Sequence, residues 1–138
     1  MKTEKTRLMI VDDDVGLTLL MKMNLELDGN FEIEVENHSP SATETAHRFQ
    51  PDLIVLDYKM PEMNGGEVLA CLEADPDLQA VPVIMVSASL SPDGFDRDGI
   101  PLWEGHPVLP KPVDLSQLTS TAETILAREK FDHQKIAV

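Results

Sequence analysis

Four short apolar runs, each ending in a chemically reactive side chain, are the feature that most constrains how this chain can fold. The clearest run is residues 53–56, where four consecutive apolar residues precede Asp57. Such a strand has both faces apolar, so both must be covered, as in the centre of a parallel sheet. Asp57 then lies at the carboxyl end of the strand, where open α/β sheets bind their ligands. An aspartate that only caps a turn is the alternative interpretation at this point.

Three further runs end in the same way. They are residues 8–11 before Asp12, Asp13 and Asp14, residues 83–86 before Ser87, and a fourth candidate strand that ends in Lys111 and is followed by Pro112. If the runs are neighbouring parallel strands, several carboxylates meet in a small volume and repel one another. They stay ionised together only if a cation joins them, and all-oxygen ligation suits Mg²⁺ that keeps several waters. The sequence therefore predicts an acidic metal site beside a hydroxyl and an amine.

These motifs, taken together and in this order, resemble the receiver domain of bacterial two-component response regulators. The resemblance is carried by VDDD at 11–14, LDYKMPEMNGG at 56–66, VIMVSAS at 83–89 and LPKP at 109–112. It runs from about residue 7 to residue 128, which is nearly the whole chain. It implies an α/β fold with a doubly wound, five-stranded parallel sheet, the flavodoxin-like (βα)5 arrangement. Any one of the motifs alone would be a weak signal.

The resemblance also gives each polar residue a role. Asp57 is the expected phosphoacceptor, Ser87 the switch hydroxyl, and Lys111 the contact to the phosphoryl group. The expected Mg²⁺ ligands are oxygen donors: Asp12, Asp13, Asp57 and the backbone carbonyl of Lys59. The side chain of Lys59 overlooks the phosphoryl group in receivers. Here it either attracts phosphate or alters the access of water, or else it points to solvent. The bond between Lys111 and Pro112 is expected to be cis, because X-Pro bonds reach cis at low cost and the bend aims the lysine into the site.

The partners follow from the same resemblance. The donor would be a phosphohistidine on a sensor histidine kinase or a histidine phosphotransfer protein, and a downstream protein would be the target. Any catalysis would be limited to the domain's own phosphorylation and dephosphorylation, and a homodimer is left open. A degenerate receiver that only binds proteins is the main alternative, although all five site side chains are present. A metal-dependent phosphatase with an aspartate nucleophile fits less well, because Tyr58 and Lys59 follow Asp57 in place of a DxD pattern.

Composition limits the remaining classes. The length of 138 residues suits one domain, with a core at about residues 7–128 and a tail at 129–138. A formal net charge of −14 argues against direct binding of nucleic acid or of anionic membranes. There is no apolar stretch of membrane-spanning length, and the single Cys71 excludes an intramolecular disulfide. We expect no signal peptide and a cytoplasmic protein. Cys71 falls among apolar residues of a predicted helix, and we expect it to be buried.

Residues 90–107 depart from the receiver pattern, which has a full fourth helix here. The segment is interrupted by glycine and proline at positions 94, 99, 101, 105 and 107. These residues allow at most one or two helical turns. We therefore expect a degenerate fourth helix and irregular structure anchored by Phe95, Ile100 and Trp103. Val108 stands where receivers carry an aromatic residue.

The helices and the edge of the sheet are predicted from periodicity. Residues 15–27 alternate as a strand would, but their length and Leu/Met content favour a helix. Its expected buried stripe is Leu19, Leu20, Met23 and Leu27. Residues 31–36 alternate with period two, which predicts an edge strand with one wet face. The last helix is expected to begin after Asp114 as its cap, and residues 131–138 are expected to fray.

Overall fold

The computed structural model describes the backbone of residues 4–137 and the side chains of residues 4–131, and it shows an α/β fold. The strands are β1 Thr6–Val11, β2 Phe31–Glu36, β3 Leu53–Asp57, β4 Val83–Ser87, β5 Gly94–Phe95, β6 Pro101–Trp103 and β7 His106–Pro110. The helices are α1 Val15–Leu25, α2 Ala42–Phe49, α3 Gly65–Ala74 and α4 Leu115–Ala137, with a 3-10 turn at Ser39–Ser41. No helix in the described part of the chain has both the length and the apolar character that crossing a bilayer requires.

The sheet has the strand order β2-β1-β3-β4-β7-β6-β5. The first five of these strands pair in parallel, which confirms the predicted doubly wound sheet, and β2 lies at an edge as predicted. From β1 the chain moves outward to β2, and it then returns to form β3 on the other side of β1. This reversal opens a crevice at the carboxyl ends of β1 and β3, where ligands bind in such sheets.

The two faces of the sheet carry separate apolar layers. On one face, alternate residues of the central strands, such as Leu8 and Ile10, pack with α1 and α4. On the other face, their neighbours Met9 and Val11 pack with α2 and α3. Every residue of β3 and of β4 is buried. The consecutive apolar residues in these strands are therefore explained by helices on both faces.

Helix α1 turns a different side to the core from the one that the sequence predicted. Thr18, Met21 and Leu25 are buried. The predicted stripe is exposed, at 55% for Leu19, 59% for Leu20, 58% for Met23 and 80% for Leu27. Apolar residues at every second position of a helix spread around its whole circumference, so periodicity cannot select the buried side. Thr18 takes a core position because its hydroxyl can bond to the carbonyl oxygens of Asp14 and Val15, at 3.0 and 3.1 Å.

The prediction that Cys71 is buried is also wrong. Cys71 is exposed, because α3 turns its opposite side, with Val68, Leu69 and Leu72, toward the core. The backbone of α4 is helical as far as Ala137, and fraying from residue 131 stays a prediction. Val138, the end of that predicted tail, lies outside the described residues. The predicted cap of α4 is confirmed, since the Asp114 carboxylate accepts a hydrogen bond from the Gln117 N–H at 3.2 Å.

Residues 90–107 form an antiparallel hairpin of β5 and β6 that extends the sheet beyond β7, and not the irregular structure predicted. The degenerate fourth helix is confirmed. Asp96 builds the turn: its N–H donates to the Ile100 carbonyl at 3.0 Å, and its carboxylate accepts from the N–H groups of Asp98 and Ile100. Gly99 has a φ of 80°, a left-handed conformation that favours glycine. Residues that break a helix therefore specify a turn here.

Trp103 anchors this hairpin to the rest of the domain. Its ring meets the Tyr58 ring edge to face, with 5.7 Å between centroids and an interplanar angle of 74°. On the other side of the hairpin, Arg128 of α4 forms an ion pair of 2.9 Å with Asp96. Phe95 is 69% exposed, so the prediction that it anchors the segment is wrong.

We expect Trp103→Ala to lower the free energy of unfolding by about 1–3 kcal/mol, because a half-buried aromatic contact is lost. Phe95→Ala is the matched control in the same hairpin, and its effect should stay within about 0.5 kcal/mol because the ring is exposed. Urea denaturation of the three proteins measures both values. Equal losses in the two variants would contradict the assignment of Trp103 as the anchor.

Candidate functional site

Three aspartates meet at the carboxyl edge of the sheet. Asp57 ends β3 and Asp12 directly follows β1, and each is 4% exposed. The strands are parallel neighbours with Val11 opposite Leu56, so the two aspartates fall at the same level. Asp13 is exposed beside them, and one carboxylate oxygen from each of the three lies within 4.8 Å of the others. The convergence predicted from the ends of the apolar runs is present in the structure.

Lys111 brings a positive charge to this cluster. Its Nζ donates a hydrogen bond to Asp12 Oδ2 at 3.0 Å and forms an ion pair with Asp57 Oδ1 at 3.1 Å. The bond between Lys111 and Pro112 is cis, as predicted. Lys111 comes directly after β7, so a residue far away in the sequence is brought to the ends of β1 and β3.

The charges shift one another's protonation. Burial is the largest cause that raises the pKa of Asp57, and the negative charge of Asp12 adds to it. The hydrogen bond and charge of Lys111 act in the opposite direction and offset part of that increase. For Lys111, burial alone would lower the pKa, but the bonds to Asp12 and Asp57 outweigh it, and the net direction is upward. The lysine is therefore held as an ammonium, and one ammonium faces three carboxylates.

Ser87 and Lys59 complete the same cleft. The Ser87 oxygen accepts hydrogen bonds from the backbone N–H groups of Ser89 at 2.9 Å and Leu90 at 3.0 Å. Lys59 is exposed. The cleft has a volume of about 350 Å³, and its lining includes all six residues that the sequence predicted: Asp12, Asp13, Asp57, Lys59, Ser87 and Lys111.

Two loops hold the aspartates in place. Asp14 caps α1 by accepting a hydrogen bond from the Leu17 N–H at 3.0 Å, and its own N–H donates to Asp12 Oδ1 at 2.9 Å. Gly65 begins α3 so close to the strand end that an added Cβ would lie 2.4 Å from the Asp57 carbonyl oxygen. No other residue type fits there without moving the backbone of the strand that carries Asp57.

The donor set fits a hard divalent cation. Asp12, Asp13 and Asp57 supply only carboxylate oxygen, which Mg²⁺ prefers over nitrogen or sulfur. One of the three carboxylates is exposed, so an ion can enter and keep part of its water shell. The net negative charge of the cluster, after Lys111 is counted, favours such an ion.

The comparison with family models decides the family. The model described as "Response regulator receiver domain" matches residues 8–123. The chain belongs to the response regulator receiver family. Receivers are components of two-component systems, whose response regulators interact with histidine kinases, and phosphorylation and Mg²⁺ binding are typical of the family.

Curated relatives of this receiver are longer proteins. It is 34% identical over 134 residues to the transcriptional regulatory protein CpxR homolog of Haemophilus influenzae, covering 96% of this chain and 55% of the relative. It is 31% identical over 125 residues to the probable transcriptional regulator ycf29 of Pyropia yezoensis, covering 89% and 54%. The chain thus spans about half the length of these relatives.

A solved structure supports the fold. The signal receiver domain of a putative LuxO repressor protein from Vibrio parahaemolyticus has a TM-score of 0.76 and 25% identity to this receiver. The similarity covers 95% of this chain and 97% of that one. The flavodoxin-like receiver fold predicted from the sequence is therefore confirmed.

Sequence reasoning missed one residue next to the site. Asn37 directly follows β2, and its side chain bonds to the backbone of Asp12 at 2.7 Å. The rule that found the other site residues, a polar side chain after a strand, applies to Asn37 as well. The signal is weak there, because β2 alternates polar and apolar residues as an edge strand does, and no apolar run marks its end.

Proposed function

We propose that this receiver accepts a phosphoryl group from phosphohistidine onto Asp57, with Mg²⁺ bound, as one step of a two-component phosphorelay in the cytoplasm. One observation carries the proposal: a buried carboxylate at the end of β3 lies beside an ammonium, a hydroxyl and two further carboxylates in one cleft. Each of these groups has a defined use in phosphoryl transfer, which requires a nucleophile in line and positive charge around the phosphoryl oxygens.

In the proposed reaction a carboxylate oxygen of Asp57 forms a bond to phosphorus. The P–N bond of the phosphohistidine breaks, and its electron pair stays on the imidazole nitrogen, so an acyl phosphate and a free histidine result. With acetyl phosphate as donor, the P–O bond to the acetyl group breaks and acetate leaves. The protein contributes mainly position and electrostatic stabilisation, because the transferring group needs little other chemistry.

The other residues have separate tasks. The Lys111 ammonium, already within 3.1 Å of Asp57, would contact one phosphoryl oxygen, and Ser87 would donate a hydrogen bond to another. Mg²⁺ would be held by Asp12, Asp13, Asp57 and the Lys59 carbonyl, and when bound it supplies positive charge to the phosphoryl oxygens. The Ser87 oxygen also lies 3.2 Å from Ser89 Oγ, a contact in which either hydroxyl can be the donor.

The exposed side of α1 supports a protein as the phosphoryl donor. The exposed apolar residues of this helix and its C-terminal flank are Val15, Leu19, Leu20, Met23 and Leu27. We call this set the α1 stripe. Val15 is next to Asp14, which lines the cleft, so the stripe begins at the mouth of the site. Contiguous apolar surface beside a reactive site is typical of a protein docking face, and a helical donor could bury it against its own apolar side.

Intact-protein mass spectrometry after incubation with acetyl phosphate tests the proposal. In Mg²⁺ we expect the mass to rise by one phosphoryl group, and in excess chelator we expect no change, because the carboxylates and a phosphoryl group repel without a cation. Absence of labelling under both conditions would favour the alternative, a receiver that binds proteins without being phosphorylated.

We also expect Mg²⁺ to raise the free energy of unfolding, because the ion would bind only the folded chain. The gain is about 1.4 kcal/mol at ten times the dissociation constant and about 2.7 kcal/mol at one hundred times. Asp13→Asn should remove most of it, and Asp28→Asn, a change at another exposed aspartate, should retain it. Thermal unfolding across a Mg²⁺ titration measures the effect, and a melting temperature that never changes would count against the metal site.

A further inference from the structure

We propose that Asn37 is a positioning residue of the metal-binding loop, which holds the Asp12 backbone so that the aspartate carboxylates converge. The inference rests on the proposed function, because it assigns a further residue to the same site. Asn37 does not line the cleft. It would therefore act through Asp12 and not by contact with the ion or the phosphoryl group.

The side-chain amide of Asn37 links two elements. Its Nδ2 donates to the carbonyl oxygen of Asp12 at 2.7 Å and to Oγ1 of Thr18 at 3.0 Å. Thr18 is 1% exposed, and its hydroxyl lies 3.0 Å from the carbonyl oxygen of Asp14. Asn37 therefore connects the end of β2 to both ends of the loop between β1 and α1, the loop that carries the candidate metal ligands.

The remaining contacts of Asp12 show what this link adds. Its two carboxylate oxygens bond to the Asp14 N–H and to the Lys111 ammonium, and its backbone N–H donates to the Glu36 carbonyl. Asn37 holds the backbone carbonyl, which is the last polar group of the residue. The direction of the Asp12 carboxylate depends on its backbone, and this backbone is fixed from β2 on both its N–H and its C=O.

Electrostatics explains why such a link is needed and why it is an asparagine. Asp12, Asp13 and Asp57 repel one another, and the repulsion acts to spread the loop away from β3. An amide provides two N–H donors and no charge, so it holds a carbonyl and a hydroxyl without adding to the repulsion. An aspartate in place of Asn37 would have no donor for the Asp12 carbonyl and would add another negative charge.

The test is the affinity for Mg²⁺ alone, measured by isothermal titration calorimetry on the phosphate-free protein. Mutation of a residue that orients a metal ligand, without binding the metal itself, typically lowers the metal affinity by about 10- to 100-fold. We expect Asn37→Ala to weaken Mg²⁺ binding by at least about tenfold. Asn24→Ala is the matched control. The side-chain amide of Asn24 also donates to a backbone carbonyl, that of Leu20 in α1 at 2.9 Å, but away from the site.

Urea denaturation of each variant without metal separates an effect on Mg²⁺ binding from an effect on the stability of the fold alone. Thr18→Val, which removes only the hydroxyl that receives the second bond, should weaken Mg²⁺ binding in the same direction. It also provides the test if Asn37→Ala does not fold. In the double variant Asn37→Ala/Thr18→Val, the fold-loss of Mg²⁺ affinity should be smaller than the product of the two single-variant losses, because both changes break one linked contact.

The outcomes are distinct. Weaker Mg²⁺ binding in Asn37→Ala or Thr18→Val, with unchanged binding in Asn24→Ala, supports the inference. Affinities within about twofold of the wild type, with only the unfolding midpoint lowered, would overturn it and leave the proposed function intact. A wild-type protein that binds no Mg²⁺ would overturn both.

Discussion

Asp57→Asn should abolish covalent labelling by acetyl phosphate, whereas Asp52→Asn should leave labelling at the wild-type level. Asp52 directly precedes β3 and Asp57 is its last residue, so the two aspartates belong to the same strand region but lie at opposite ends of it. Asp52 is exposed and accepts a hydrogen bond from the Arg7 N–H at 2.8 Å, far from the cleft. An amide oxygen is a much weaker nucleophile than a carboxylate, so the loss in Asp57→Asn should be complete.

The thermal stability of Asp57→Asn shows whether its loss of labelling comes from the missing nucleophile or from unfolding. Burial and the Asp12 charge both disfavour the ionised form of Asp57 in the metal-free protein, as its raised pKa shows. Asparagine has the same shape without the charge, so we expect Asp57→Asn to unfold at the same temperature or higher in chelator. Labelling that persists in Asp57→Asn would place the phosphoacceptor elsewhere.

Transfer from a phosphohistidine protein should fall by at least about tenfold in the variant Leu19→Gln/Met23→Gln, because the docking face loses two apolar side chains. Labelling by acetyl phosphate, which needs no docking face, should not change. The folded state should also be retained, because both positions are more than half exposed and glutamine is a good helix former. Phosphotransfer from a purified phosphorylated donor, followed by gel separation over time, measures the rates.

Phe95→Gln is the control for this experiment, because it removes an exposed apolar side chain from the hairpin, away from α1. It should transfer at the wild-type rate. Equal slowing in both variants would indicate a general loss of solubility or folding. A wild-type rate in the α1 variant would mean that the stripe is not the donor's docking face.

The location of the site was predictable from sequence because it depends on strand ends. A run of apolar residues marks a central strand, and parallel neighbours place their following residues at one edge of the sheet. Asp12, Asp57, Ser87 and Lys111 could therefore be brought together without knowing a single distance. The cis bond before Pro112 came from the family resemblance and not from this geometry.

The side of α1 that packs on the sheet could not be predicted in the same way. Its apolar residues surround the helix, so the choice between Leu19 and Met21 depends on tertiary contacts. Thr18 decides the matter, since its hydroxyl bonds within the helix and accepts from Asn37, which is contributed by a different strand. The apolar residues left outside then form the α1 stripe.

The hairpin was missed for a different reason. Its glycines and prolines predict the loss of the helix, which is correct but incomplete, because the same residue types specify turns when short strands flank them. The hairpin joins the sheet because β6 pairs with β7. Strand pairing is a long-range property, which a local sequence pattern does not show. The anchor was correctly expected at Trp103 and wrongly at Phe95, because a hairpin at the sheet edge exposes one of its faces.

The most direct test of the central claim is to locate the phosphoryl group. Borohydride reduces an acyl phosphate on aspartate to the alcohol, so treatment after labelling with acetyl phosphate in Mg²⁺ marks the acceptor permanently. Tandem mass spectrometry of the digested protein then identifies the residue. Reduction found at Asp57, and absent when Mg²⁺ is chelated, is the predicted result. Reduction at any other carboxylate, or at none in a sample whose intact mass has risen, would contradict it.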